Sequence, residues 1–470
     1  MIVGEDLVLQ EASDLLRFVG TIVDACGNRR EDYPVFPAPA TEFFDYVYSL
    51  GCQTRTFLAA FPYDFISTSV KEIALSKRQK LKTLRKAWER LHEYVKPALD
   101  ADSLNLPMPL VEALEQMVRQ VEDWKDFRFV LFHTSEANYL QVPAERIKDI
   151  ADEIAREVGG DTFPDALGLV GIPYSQADTF FLNCLLPHEF AHFIYREAAL
   201  SEISTKIDLA MERLDQELDV ANDAVISYRR DTLASWIEET FCDLVALSLI
   251  GPAFTFAYSE LTCASDLLGR ADEEVMEFFE FSESYPSDAA RFHVHQQFLV
   301  RLGWWEEIKE RDAAPVHLLA KCETWSELSY GDYPILPEDT IPENRFVEVY
   351  RSLVPDLIDY VLENVTCATQ WISSYSAQFP VIASYLERAI VPSTIIMDEG
   401  KVYPSPVVLI NSGYCFKLGN MPDLFARIAG KSSDSVQDLS DMTERLELWV
   451  LKALEDYKLL TGQRTYVSHP

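Results

Sequence analysis

Apolar residues return at helical intervals along much of this chain. Between Ser67 and Leu99, the positions Ile73, Leu75, Leu81, Leu84, Trp88, Leu91 and Val95 recur mostly three or four apart, which predicts a long amphipathic helix. Another helix is expected from Glu5 onward, ahead of a proline-rich loop at 33–39. From Asp126 the period shortens: 127–133, 138–142 and 167–173 read as strands, with a helix at 143–158 closed by Gly159-Gly160. Helical character resumes at Trp304-Trp305, over 346–367 and over 443–460; between these lie a proline-punctuated connector at 333–342 and shorter apolar runs containing Pro392, Pro404 and Pro406. The expected fold class is α+β and mostly helical, with a small sheet. Its expected division is a helical N-terminal region at 1–125, a core at 126–300, and a mainly helical C-terminal region at 301–470 packed on that core.

Composition narrows the function classes. At 470 residues, 48% hydrophobic and 12% aromatic, the chain reads as globular. A net charge of -35, from 41 Lys+Arg against 76 Asp+Glu, argues against nonspecific nucleic-acid or anionic-membrane binding while leaving a basic partner or substrate segment open. The basic cluster Lys77, Arg78, Lys80 and Lys82 lacks an aromatic stacking platform and reads as the solvated face of its helix. The eight cysteines are scattered with no CxxC pair, which suits a reduced cytoplasmic setting. Residues 1–16 are acidic where a signal peptide would be basic, and the apolar stretch 241–258 is interrupted by Asp243 and Gly251-Pro252, so no membrane span is expected.

The chemistry concentrates at Pro187-His188-Glu189-Phe190-Ala191-His192-Phe193-Ile194-Tyr195, an HExxH signature. On a helix, a separation of four puts His188 and His192 on one face, where both reach one metal ion, while Glu189 sits about 100° round, within reach of a water on that metal. Pro187 requires the helix to begin near it. The plain alternative is a core helix with two hydrogen-bonded histidines and Glu189 in solvent.

A catalytic zinc site needs a third protein ligand and one open position, and Glu239 in Trp236-Ile-Glu238-Glu239-Thr-Phe-Cys242-Asp243 fits that need. Glu239 and Asp243 lie four apart in a stripe that continues to Trp236 and Ala246, where an amphipathic helix would bury apolar groups. Buried carboxylates there require a metal or hydrogen-bond donors, so Glu239 suits the metal and Asp243 an imidazole N–H behind it. Glu238 is the competing third ligand, but it would align Cys242 at the next turn. A solvated acidic helix face is the plain alternative.

HExxH, a gap of 46 residues, then Glu followed four residues later by Asp resembles the gluzincin zinc metallopeptidases. The resemblance implies a zincin-like catalytic core at 126–300, His188, His192 and Glu239 as ligands of one Zn2+, Glu189 as general base, and Asp243 orienting a ligand histidine. The segment Ser284-Tyr285-Pro286-Ser287-Asp288-Ala-Ala-Arg291 is similar to a His-Pro and following Arg often carried by soluble gluzincins and the CAAX-prenyl-protease-like group, with Tyr285 where the histidine would be. The Tyr285 hydroxyl could donate to a developing oxyanion, or Tyr285 could only cap a helix. His293 and His295 point to different sides of the expected helix and read as ordinary polar residues, with one of them the other choice for oxyanion donor. His133, on a strand, reads as structural.

The functional expectation is a zinc-dependent metallopeptidase acting on a protein or peptide, with a narrow substrate range because large flanks enclose the core, and with room for a regulatory protein partner. Readings from other classes are a catalytically silent zinc-binding helical scaffold and a metal-free helical interaction protein.

Overall fold

The computed structural model describes residues 3–31, 38–60, 71–100, 107–121, 128–134, 139–142, 144–164, 167–177, 179–197, 201–217, 223–262, 282, 284–325, 343–365, 371–421 and 436–467. The stretch at 33–37, the connector at 333–342, Cys263 and Cys367 lie outside them. The protein is mostly helical with a small sheet. Two compact units are present: Met1–Leu106 with Asp126–Ala177, and Pro107–Lys125 with Asp178–Pro470. The first unit thus combines helices from 1–125 with the strands of 126–300.

In the first unit, helices α1 (Val3–Glu31), α2 (Ala38–Ala60) and α3 (Lys71–Asp100) pack with a sheet and with a later helix, whereas α4 (Met108–Arg119) belongs to the second unit. The apolar stripe read from the sequence of α3 is the buried one: Leu81, Leu84, Trp88, Leu91 and Val95 are 0–3% exposed. The basic cluster faces outward and meets carboxylates of its own unit, Arg78 on Glu11 at 2.8 Å and Lys80 on Glu157 at 2.9 Å. Strands β1 (Arg128–Thr134), β2 (Leu140–Val142) and β3 (Leu167–Pro173) follow the order β1-β3-β2, parallel between β1 and β3 and antiparallel between β2 and β3. Helix α5 (Ala144–Val158) makes the crossover. Phe129, Val130, Leu131 and Phe132 are all buried, so β1 is covered on both faces, which accounts for its unbroken apolar run.

The second unit also contains α6 (Leu186–Glu197), α7 (Ser201–Glu217), α8 (Asp223–Ile250), α9 (Pro252–Leu261), α10 (Asp288–Leu302), α11 (Trp304–Ile308), α12 (Ala314–Trp325), α13 (Glu343–Asn364), α14 (Ile372–Leu386), the hairpin β4 (Ile395–Met397)–β5 (Gly400–Val402), α15 (Pro406–Gly419) and α16 (Val436–Val467). Helix α8 is its axis. From Phe241 to Ile250 every side chain of α8 is buried, and α6, α7, α9, α10, α13 and α15 all pack on the helix. A helix apolar on all sides needs such a sheath. Among the described residues, no helix is long and apolar enough to cross a membrane.

Two local devices set the helices around the site. A 3-10 turn at Leu182–Leu185 leads into α6, which begins at Leu186 and takes Pro187 in its first turn, where a missing N–H costs nothing. At the other junction, α8 stops at Gly251, whose φ of +66° is open to glycine and strained for other residues. Asn411 fastens the turn: Nδ2 donates to the Ile250 carbonyl at 2.8 Å, and Oδ1 accepts from the Ala253 N–H at 3.0 Å. A Cβ on Gly251 would lie 3.0 Å from the Trp304 ring. Gly251→Ala is therefore expected to destabilise the protein by about 1–3 kcal/mol through strain and overpacking, read as a lower urea midpoint; an unchanged midpoint would contradict this account of the junction.

Candidate metal centre

Helices α6 and α8 bring His188, His192 and Glu239 together, with one donor atom from each within 4.8 Å of the others. His188 Nε2 lies 3.3 Å from Glu239 Oε2, and His192 Nε2 lies 3.6 Å from Oε1 of the same carboxylate. Donors held by one tetrahedral zinc at about 2.1 Å stand about 3.4 Å apart, so this spacing suits a single ion. The two rings are 4.9 Å apart, centroid to centroid, as expected of neighbours one turn apart. His188 also lies parallel to the Phe254 ring, with centroids 6.0 Å apart.

The opposite ring nitrogens face carboxylates as well. His188 Nδ1 approaches Asp243 Oδ1 at 2.8 Å, out of line with the ring N–H, and His192 Nδ1 donates to Glu238 Oε1 at 2.9 Å. Glu238, the competing third ligand in the sequence, thus lies behind His192, and Glu239 lies between the two Nε2 atoms. A carboxylate can only accept, so Glu238 places the His192 proton on Nδ1 and leaves Nε2 with a free lone pair for a metal.

Asp243, 1% exposed, is engaged by Arg291 through both oxygens, Nε to Oδ2 at 2.7 Å and Nη2 to Oδ1 at 2.6 Å, and by His295 Nε2 at 3.0 Å. Burial alone would raise the Asp243 pKa; Arg291, His295 and His188 outweigh it and hold the carboxyl well below its ordinary value. Arg291 also lies 3.7 Å from Glu239 and stacks over the Tyr258 ring at 4.4 Å, and Tyr258 donates to Asp288. For His188, burial opposes the charged form, yet Asp243 and Glu239 together raise its pKa to about 10. Two carboxylates, Glu239 and Asp243, thus face this imidazole from opposite sides, so the donor set fits a cation on grounds of charge as well as distance.

Glu189 is half-buried on α6, one residue beyond His188. Tyr285, 51% exposed, precedes α10 in a turn pinned to α8: Trp236 Nε1 donates to the Ser282 carbonyl at 2.9 Å, and Ser282 Oγ accepts from the Tyr285 N–H at 2.8 Å. Partial burial, then the charges of Glu239 and Glu189, push the Tyr285 hydroxyl pKa up. Tyr285 does not cap α10; Ser287 does, accepting from the Ala290 N–H. His293 and His295 diverge as their spacing implied. His293 uses Nδ1 on the Cys322 carbonyl and Nε2 on Gln297, whereas His295 is fully buried with its nitrogens on Asp243 and Thr255. Neither ring has a nitrogen left for an oxyanion. His133 lies in the first unit, edge-on to Tyr174.

The places of Arg291, His295 and Glu238 around the three candidate ligands were not assigned from the sequence. The one available signal was the four-residue spacing of Arg291 and His295, which gives both the same helix face. Asp243→Ala, by leaving a guanidinium buried without its anion, is expected to cost the metal-free protein about 3–5 kcal/mol in urea denaturation. The double variant Asp243→Leu/Arg291→Met should lose distinctly less, and equal losses would contradict a paired-charge account. Compared with protein-family models, curated proteins and solved structures, the chain has no match, so the functional reading rests on the chemistry of this site.

Proposed function

We propose that this protein is a zinc-dependent metallopeptidase with a zincin-like core built around α6, α8 and α10. The observation that carries the reading is the convergence of His188 Nε2, His192 Nε2 and the Glu239 carboxylate, with Glu189 on the helix of the two histidines. A bound Zn2+ would act as a Lewis acid toward a peptide carbonyl and lower the pKa of a bound water to about 7. Glu189 takes the proton from the attacking water and returns it to the leaving amine. Tyr285 donates its phenolic O–H to the carbonyl oxygen as negative charge builds there; its raised pKa keeps that proton in place. Asp243 and Glu238 hold the two imidazoles in their liganding orientation. A reducing cytoplasmic setting suits Cys26, Cys184, Cys242, Cys322 and Cys415, all buried free thiols.

Elemental analysis after metal-replete expression should find one zinc per chain, lost on His188→Ala. Glu189→Gln should retain the zinc and cleave a peptide library at least about 100-fold more slowly, and Tyr285→Phe should lower kcat by about 10²–10³. A native protein holding zinc and cutting nothing would mark a silent scaffold, and one holding no zinc a metal-free interaction protein. A narrow substrate range predicts little digestion of unfolded casein by the native enzyme.

A further inference from the structure

We infer that His295 is a positioning residue for the metal centre, setting the orientation of ligand His188 through Asp243; this rests on the metal-site reading above. The Asp243 carboxylate can accept only a limited number of partners. Its two oxygens offer about four acceptor positions, and three hydrogen bonds occupy them: Arg291 Nη2 on Oδ1 at 2.6 Å, and Arg291 Nε at 2.7 Å with His295 Nε2 at 3.0 Å on Oδ2. His188 Nδ1 lies 2.8 Å from Oδ1, out of line with its N–H, so the tilt of the carboxylate decides how well that imidazole is met. Arg291 fixes the plane of the carboxylate with its two-pronged grip. His295 adds the second hold on Oδ2. Without it, that oxygen would keep Arg291 alone, and the carboxylate would be free to tilt away from His188.

The protonation pattern of His295 follows from its neighbours. Facing a carboxylate, Nε2 must carry the ring proton, so Nδ1 is an acceptor, and Thr255 Oγ1 at 3.3 Å is placed to donate to it. The chain Thr255–His295–Asp243–His188 therefore runs through α9, α10, α8 and α6, linking the Gly251 junction to the metal ligands. The surroundings of His295 make its polarity conspicuous. Its ring is fully buried and lies 5.3 Å from Phe254, 5.6 Å from Tyr258 and 5.7 Å from Phe292, centroid to centroid. An apolar side chain would fill such a pocket without the cost of burying polar atoms, so what the imidazole adds is its donation to Asp243. His295 also meets Phe254, whose ring lies parallel to His188, so the test must separate loss of the donor from loss of packing.

The test measures zinc affinity by competition with a chromophoric chelator, and kcat/KM on a cleaved peptide, for the native chain, His295→Leu, His295→Gln and Thr255→Val. A leucine fills the space without a donor and should weaken zinc binding by about 10–100-fold, the usual effect of losing an outer partner of a metal-ligating histidine. Glutamine carries an N–H that reaches the position of Nε2 and should restore most of the affinity. Valine at 255 removes the hydroxyl that donates to Nδ1 and helps hold the ring against Asp243; it should fall between them, with kcat/KM in the same order. A purely structural role would make leucine and glutamine weaken binding alike, which would overturn the inference, as would native affinity in His295→Leu. If His295→Leu does not fold, the other two variants decide, and native affinity in Thr255→Val would then overturn it. A native chain that binds no zinc would remove the metal reading itself, whereas native binding left unchanged by all three variants would remove only this inference.

Discussion

Asp243 is an anion within the stretch of α8 that is buried on every side, 241–250, and the second unit is arranged to make that tolerable. A carboxylate so placed costs several kcal/mol unless charge and hydrogen bonds answer it. Arg291 supplies the charge, His295 donates from the same face of α10, and His188 on α6 lies against the other oxygen. Satisfying one side chain on α8 thus requires α6 and α10 to lie against it in a fixed register. The same register brings His192 and Glu239 into line with His188. Stability and the geometry of the site are in this sense one arrangement.

The two imidazoles are held differently, and the difference has chemical content. His188 lies against a carboxylate sealed in the core and gripped by a guanidinium. His192 donates to Glu238, whose side chain is 25% exposed. One imidazole is thus backed from the core and the other from nearer the surface. Tyr285 is half exposed in a turn tied to Trp236 of α8.

How much of this could be read from the residues depended on the range of the interaction. Spacings of four within one helix were enough to nominate His188 with His192 and Glu239 with Asp243, because helical geometry alone puts such pairs on one face. The mostly helical fold and the small sheet followed from apolar periodicity, and Pro187 gave the start of α6 to within a residue. Contacts made across the fold were not readable in that way. Asp243 meets Arg291 48 residues on and His295 52 residues on, and His192 meets Glu238 after 46; those meetings depend on how helices pack, which no local pattern encodes. His295 read as ordinary for the same reason. Its buried state is a property of α8 and α9, not of the residues beside it.

The central claim is that two imidazoles and one carboxylate of this chain bind a single zinc ion. X-ray absorption at the zinc K-edge of the metal-loaded native protein tests it most directly. The account predicts a nearest shell of nitrogen and oxygen only, at about 2.0–2.1 Å, with outer-shell scattering from two imidazole rings. A sulfur shell at about 2.3 Å, scattering from other than two imidazoles, or no zinc retained after loading would contradict it.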